Sequence, residues 1–273
     1  MPELPETETI ARDLDGALRG AVVRSVQVQR ADVLRGLGAR AFAGRLKSRT
    51  VSAVSRRAKS VVMEFAHGDR LVVTPRFTGA LLLDGSPDDA YTCLLFSLGD
   101  GRLLRYHDVR RLGTVTLLGP ASFQEWSASL GPEPLDPELT AERASGIIRG
   151  SKRAVKSILM DQRRLAGVGN IYANEACWLA GIRPARRGAS LTLAECARLF
   201  QELRAVLRAS IAVRGTTFRD YRDAYGARGG FAAHLKVYGR AGEPCARCGE
   251  TLRSTHAIEG RQTVWCPNRA CQR

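Results

Sequence analysis

No stretch of the 273-residue chain approaches the roughly 20 consecutive apolar residues of a membrane span. Glutamates occupy its first residues, where a secretion signal needs an apolar run. Internal repeats and long polar low-complexity tracts are also lacking. These absences argue against a helical membrane protein, a secreted protein and a disordered one, and predict a cytoplasmic globular protein. Cysteine is scarce before the last 29 residues: Cys93, Cys177 and Cys196 stand alone in apolar contexts and read as buried small hydrophobes in a reducing compartment. Acidic residues are short too, 27 Asp and Glu against 42 Lys and Arg, giving a net charge of +15. Guanidinium groups fork onto phosphate oxygens, so an Arg-rich excess of this size points to a polyanion, most often nucleic acid. An Arg-biased solvated surface has the same composition.

A composition of 44% hydrophobic and 25% charged residues supports a core, and the length fits two modest domains with a small appendage. Residues 5–19 place Ile10, Leu14, Ala17 and Leu18 on one helical face, with Pro5 and two glutamates in the first turn. From Ala21 to about Gly119 short β-branched runs alternate with Gly-Asp and Asp-Gly turns, predicting a mostly antiparallel sandwich or barrel. The proline-rich LGPEPLDPEL at 130–139 reads as a boundary, after which the apolar period becomes helical. Thr192 and Glu195 have capping-box spacing ahead of the longest helix. Residues 215–231, rich in Gly and aromatics, read as a functional or mobile loop.

Three stretches carry chemistry. The opening MPELPETE leaves Pro2 as the first residue once Met1 is trimmed, with a free secondary amine. CARC, seventeen residues and then CPNRAC bring two thiolate pairs together, which predicts one tetrahedral zinc on Cys245, Cys248, Cys266 and Cys271; His256 is a further available ligand. GVGN at 167–170 sits between helical segments, where glycines and a helix N-terminus can meet a phosphate. Alone, it reads better as an interhelical turn capped by Asn170.

Together with RRAKS, DVRRLG, LGPEPL, LMDQ, AGVGNIYANEACWLAGI, GTTFRD and KVYGR, these stretches closely resemble the formamidopyrimidine-DNA glycosylase and endonuclease VIII family over nearly the whole chain. The resemblance implies an α+β fold: an N-terminal β-sandwich with flanking helices (1–130), a helical domain with a helix, two turns, helix element (131–235) and a zinc finger (236–273), with DNA crossing the cleft. It implies that Pro2 attacks C1′ of a damaged nucleotide, displaces the base and forms an iminium that drives strand cleavage. An α-amine has a pKa of about 8, roughly two units below lysine, so more of it is nucleophilic at cellular pH. By the same resemblance Glu3 is the general acid and base, and Glu6 a supporting acid that also suits the helix N-terminus. Lys59 and Arg261 serve the site through phosphate, Asn170 and Tyr238 bind phosphate, and Lys156 is counted with the DNA-binding residues. Phe77, Arg110 and Leu112 fill the gap left by the everted base.

The chain departs from the family pattern in three places. Phe77 stands where Met is usual and Leu112 where Phe is usual; Thr74 replaces a phosphate-binding His, with Arg76 nearby; and the second cysteine pair has four intervening residues rather than two. The implied function is excision of oxidised purines (8-oxoguanine, formamidopyrimidines) with abasic-site lyase activity, by a monomer acting on damaged double-stranded DNA at the nucleoid. The 215–231 segment favours this branch. An endonuclease VIII-like preference for oxidised pyrimidines, or a non-catalytic zinc-finger DNA-binding protein, are the competing expectations.

Overall fold

A computed structural model describes residues 2–84 and 89–272 and divides the chain into two units. The first comprises residues through Ala128 together with Ile211–Ala232, and the second Ser129–Ser210 with Ala233–Arg273. Trimming of Met1 concerns a residue outside the described ones.

The first unit begins with α1 (Leu4–Leu18), whose Ile10, Leu14 and Leu18 are fully buried, as the helical period requires. There follow β1 (Val22–Val28), β2 (Leu34–Arg35), α2 (Ala39–Leu46), β3 (Arg49–Arg57), β4 (Ser60–Phe65), β5 (Arg70–Thr74), β6 (Gly79–Leu83), β7 (Thr92–Leu98), β8 (Leu103–Asp108), β9 (Thr114–Leu118) and α3 (Pro120–Ala128). The strands run β2-β9-β5-β4-β3-β1-β7-β8-β6, all antiparallel except β2 with β9. β1 and β3 share only the pairs Val22 with Thr50 and Val23 with Arg49. Across that narrow seam, Val54, Met63 and Leu71 on one side and Leu81, Phe96 and Tyr106 on the other enter one core, which is the expected sandwich. Helix α2 lies where strands are expected, and α3 fills the stretch between the strand region and the boundary at 130–139. Only Phe42 and Leu46, one turn apart, anchor α2, too few to show a helical period.

In the second unit stand α4 (Ala141–Arg149), α5 (Val155–Met160), α6 (Asn170–Leu179), all but the last two residues of α7 (Leu193–Ala212), β10 (Arg253–Thr255) and β11 (Thr263–Trp265). Thr192 and Glu195 form the expected capping box: the Thr192 N–H donates to Glu195 Oε2 at 2.8 Å and the Glu195 N–H to Thr192 Oγ1 at 3.2 Å. Gln162 holds the turns between α5 and α6, donating to Met160 O (2.7 Å) and Val168 O (2.8 Å) and accepting from the Gly167 N–H (2.8 Å). The cysteine-rich tail shares a core with α6 through Trp178, so the structure groups it with the helices instead of setting 236–273 apart. Residues 211–232 group by their contacts with the first unit. No described helix is long and apolar enough to cross a membrane.

Candidate active site and nucleic-acid interface

At the head of α1, Pro2, Glu3 and Glu6 are all buried, the carboxylates being 3% and 1% exposed. Glu3 is the N-cap residue, and its N–H donates to Glu6 Oε2 at 2.8 Å as part of a capping box. The other oxygen, Glu6 Oε1, accepts the Thr216 N–H at 2.7 Å. Gly215 beside it has φ +85°, and a Cβ there would lie 3.0 Å from both Glu6 Cγ and Oε1. The Tyr221 hydroxyl donates to Arg214 O (3.1 Å) and Glu6 O (3.4 Å), and burial, with the Glu6 charge, pushes its pKa well up. Arg214 pairs with Asp223 and Asp13. The segment read as a functional or mobile loop is therefore non-helical but tied at several points to α1, while Phe218 and Tyr225 are exposed.

Lys59 is half-buried in the two-residue turn between β3 and β4, closed by the pairing of Arg57 with Ser60 and by φ +54° at Ala58. Thr74 shares a 2.7 Å hydrogen bond with Ser60 on the neighbouring strand, and Arg76 is exposed. Phe77 and Leu112 are 41% and 40% exposed and outside the core, so packing in the sandwich does not account for Phe77. The Arg110 guanidinium lies 5.0 Å from the centre of the Phe77 ring, within cation–π range.

In the second unit Asn170 is the first residue of α6, half-buried, and Arg261 is exposed on the connection between β10 and β11. Lys156 contradicts the DNA-binding expectation. It is fully buried, and its Nζ donates to Gln262 O (2.8 Å) and Thr263 Oγ1 (2.7 Å), next to Arg261 in the chain. A cation so placed supports the Arg261 segment from inside rather than meeting phosphate. Two residues whose role went unread join it. Asn174 accepts the Val264 N–H (2.9 Å) and donates to Asn170 O (2.7 Å). Glu175, its pKa raised by burial, accepts the N–H groups of Lys236, Val237 and Tyr238 at 2.8, 2.9 and 2.8 Å. The signal was in NIYANEACWL: two adjacent polar residues inside an otherwise apolar helix must be buried with partners.

Cys245, Cys248, Cys266 and Cys271 have all Sγ atoms within 4.8 Å of one another. Cys245 to Cys271 is 3.7 Å and Cys248 to Cys266 is 3.4 Å. Four thiolates about 2.3 Å from a tetrahedral zinc would have edges of about 3.8 Å, so the set fits that metal. The longer second spacing is absorbed by a turn in which Asn268 accepts the Cys271 and Gln272 N–H groups at 3.1 and 3.0 Å. Trp178 Nε1 donates to Cys245 Sγ at 3.4 Å, and Arg247 lies 4.3 Å from the ring centre. His256 is exposed and outside the group. The three isolated cysteines are buried, and burial pushes Cys177 up to about 12 and Cys93 to about 11.

An α+β chain of this charge, with buried carboxylates beside its second residue and a four-thiolate group in its tail, has the build of a DNA-processing enzyme. Family models described as the formamidopyrimidine-DNA glycosylase N-terminal domain and H2TH domain match residues 1–115 and 130–222. The formamidopyrimidine-DNA glycosylase of Thermomicrobium roseum is 42% identical over 289 residues, covering 100% of this chain and 99% of that protein. Among solved structures, the MutM (FPG) protein of Thermus thermophilus is 35% identical with a TM-score of 0.88, covering 99% of this chain and 98% of that one. A mutant FPG of Lactococcus lactis in complex with a Fapy-dG containing DNA is 30% identical with a TM-score of 0.91, with 100% of both chains covered. The chain belongs to the formamidopyrimidine-DNA glycosylase family.

Proposed function

We propose that this DNA glycosylase is bifunctional, excising oxidised purines from double-stranded DNA and then cleaving the strand through the amine of Pro2. The observation that carries the reading is the burial of Glu3 and Glu6 beside Pro2 at the head of one helix. In the proposed sequence the Pro2 nitrogen bonds to C1′ as the glycosidic bond breaks, the glycosidic electron pair leaving with the base, and the N–H proton that Pro2 sheds is taken up by the departing base. Glu3 protonates O4′ as the sugar ring opens, giving a cationic iminium. That electron sink acidifies the C2′ proton, whose removal expels the 3′ phosphate, and Glu3 moves protons in these steps. Glu6, engaged by two backbone N–H groups, positions the amine and the 215–231 segment and moves no proton.

Lys59, Asn170, Tyr238 and Arg261 are the proposed phosphate contacts, and Phe77, Arg110 and Leu112 the side chains that fill the vacated stack. Cys245, Cys248, Cys266 and Cys271 would hold one zinc, whose contribution is to fold the tail that carries Arg261. The proposed partner is damaged DNA at the nucleoid, bound by a monomer. Borohydride trapping against 8-oxoguanine and thymine glycol duplexes tests the reading, with 8-oxoguanine the faster. A chain with verified residues ahead of Pro2 should give no adduct, because an amide nitrogen has no lone pair to offer. Full trapping by that chain, or no adduct from the native one, refutes it.

A further inference from the structure

Two loops carry Phe77 and Arg110, and one buried carboxylate serves both. Asp108, 1% exposed at the end of β8, accepts at Oδ1 from the Thr78 hydroxyl (2.5 Å) and the Arg110 N–H (3.2 Å), and at Oδ2 from the Gly113 N–H (2.9 Å) and the Tyr106 hydroxyl (3.1 Å). The Thr78 oxygen accepts in turn from the Arg110 N–H at 3.0 Å, so the residue after Phe77 is bonded to the backbone of Arg110. Close packing seals the arrangement. A Cβ on Gly113 would lie 1.8 Å from the Tyr106 hydroxyl and one on Gly79 2.9 Å from it. Arg111, at φ +50°, holds a left-handed conformation within the same loop.

We infer that Thr78 and Asp108 are positioning residues that lock the two loops together, so that Phe77 and Arg110 enter DNA as one preassembled stack. The inference rests on the proposed gap-filling role of these side chains. In this chain an aromatic ring stands where the guanidinium can lie on it, and the hydroxyl of Thr78 fixes the distance between their backbones. The ordering cost of two flexible side chains is thereby met in folding, not in binding. Thr78 and Asp108 touch neither the nucleophile nor, on this reading, the DNA.

The test is Thr78→Val, which keeps the shape and removes the hydroxyl, with Thr78→Ser as the restoring control. Single-turnover excision of 8-oxoguanine opposite cytosine should fall about ten-fold for Val, the lower end of the worth of a hydrogen bond to a carboxylate, and return with Ser. Cleavage of an abasic site in single-stranded DNA, which has no partner base and no gap to fill, should be unchanged. A 2-aminopurine opposite the lesion should report weaker displacement by Val than by the parent. Equal loss on both substrates, whether or not the melting temperature falls, marks a general structural role and overturns the inference. A responding parent matched by Thr78→Val overturns the inference alone, while a parent that leaves 2-aminopurine unchanged overturns the gap-filling reading and the inference with it.

Discussion

Replacing Trp178 by Phe isolates the link between α6 and the four thiolates. The indole is 5% exposed in a core with Val237, Leu252 and Val264, so a phenyl ring fills most of its place. What disappears is the 3.4 Å N–H contact to Cys245 Sγ, worth about 0.5–1.5 kcal/mol net. The Arg247 guanidinium, 4.3 Å from the ring centre, also loses part of a contact worth about 0.5–1 kcal/mol. Together these amount to about 1–2 kcal/mol, or roughly five- to thirty-fold in metal affinity, because a small metal site draws its binding energy from folding. The assay is equilibrium competition for zinc against a chromogenic chelator, with circular dichroism as a check on the helices. A Trp178→Phe protein that holds zinc as tightly as the parent refutes the argument.

Lys156→Met should weaken binding to lesion DNA without changing the slope of log affinity against log salt, since the ammonium is spent on Gln262 O and Thr263 Oγ1. Arg261→Ala should instead lower that slope by about one; a slope change with Lys156→Met would restore it as a phosphate contact. Gly215→Ala forces a Cβ onto Glu6 at φ +85° and should cost more than about 1 kcal/mol, read as a lower melting temperature together with slower excision. Glu3→Gln should bind lesion DNA like the parent yet excise slowly, and equal single-turnover rates would contradict its proton-transfer role.

Sequence legibility followed how local the physics was. Ile10, Leu14 and Leu18 announced α1, Thr192 and Glu195 announced the start of α7, and the cysteine spacing announced the thiolate group, because each pattern is complete within a few turns or one hairpin. Lys156 was misread because a lysine in a basic, helical stretch carries no mark of burial; its partners lie more than a hundred residues away. The same distance hid the return of 211–232 to the first unit, which depends on Glu6 with Thr216 and on the Leu83 N–H with Ala224 O. Loop composition at 215–231 reads as functional or mobile because the Glu6 carboxylate that fastens Thr216 lies far away at the other end of the chain.

The hydrogen bond from Thr216 to Glu6 joins residues 210 positions apart, and Tyr221 and Ala224 complete the core around α1. At about 5–20 residues per second on the ribosome, the first turn waits about 10–40 s for that support. A nascent chain ending after α7 already has its amine and both acids but lacks the amide that seats Glu6. On the proposed role of Pro2, order of synthesis withholds a competent terminus until most of the polypeptide is made, and fragments released before Thr216 should leave DNA uncut.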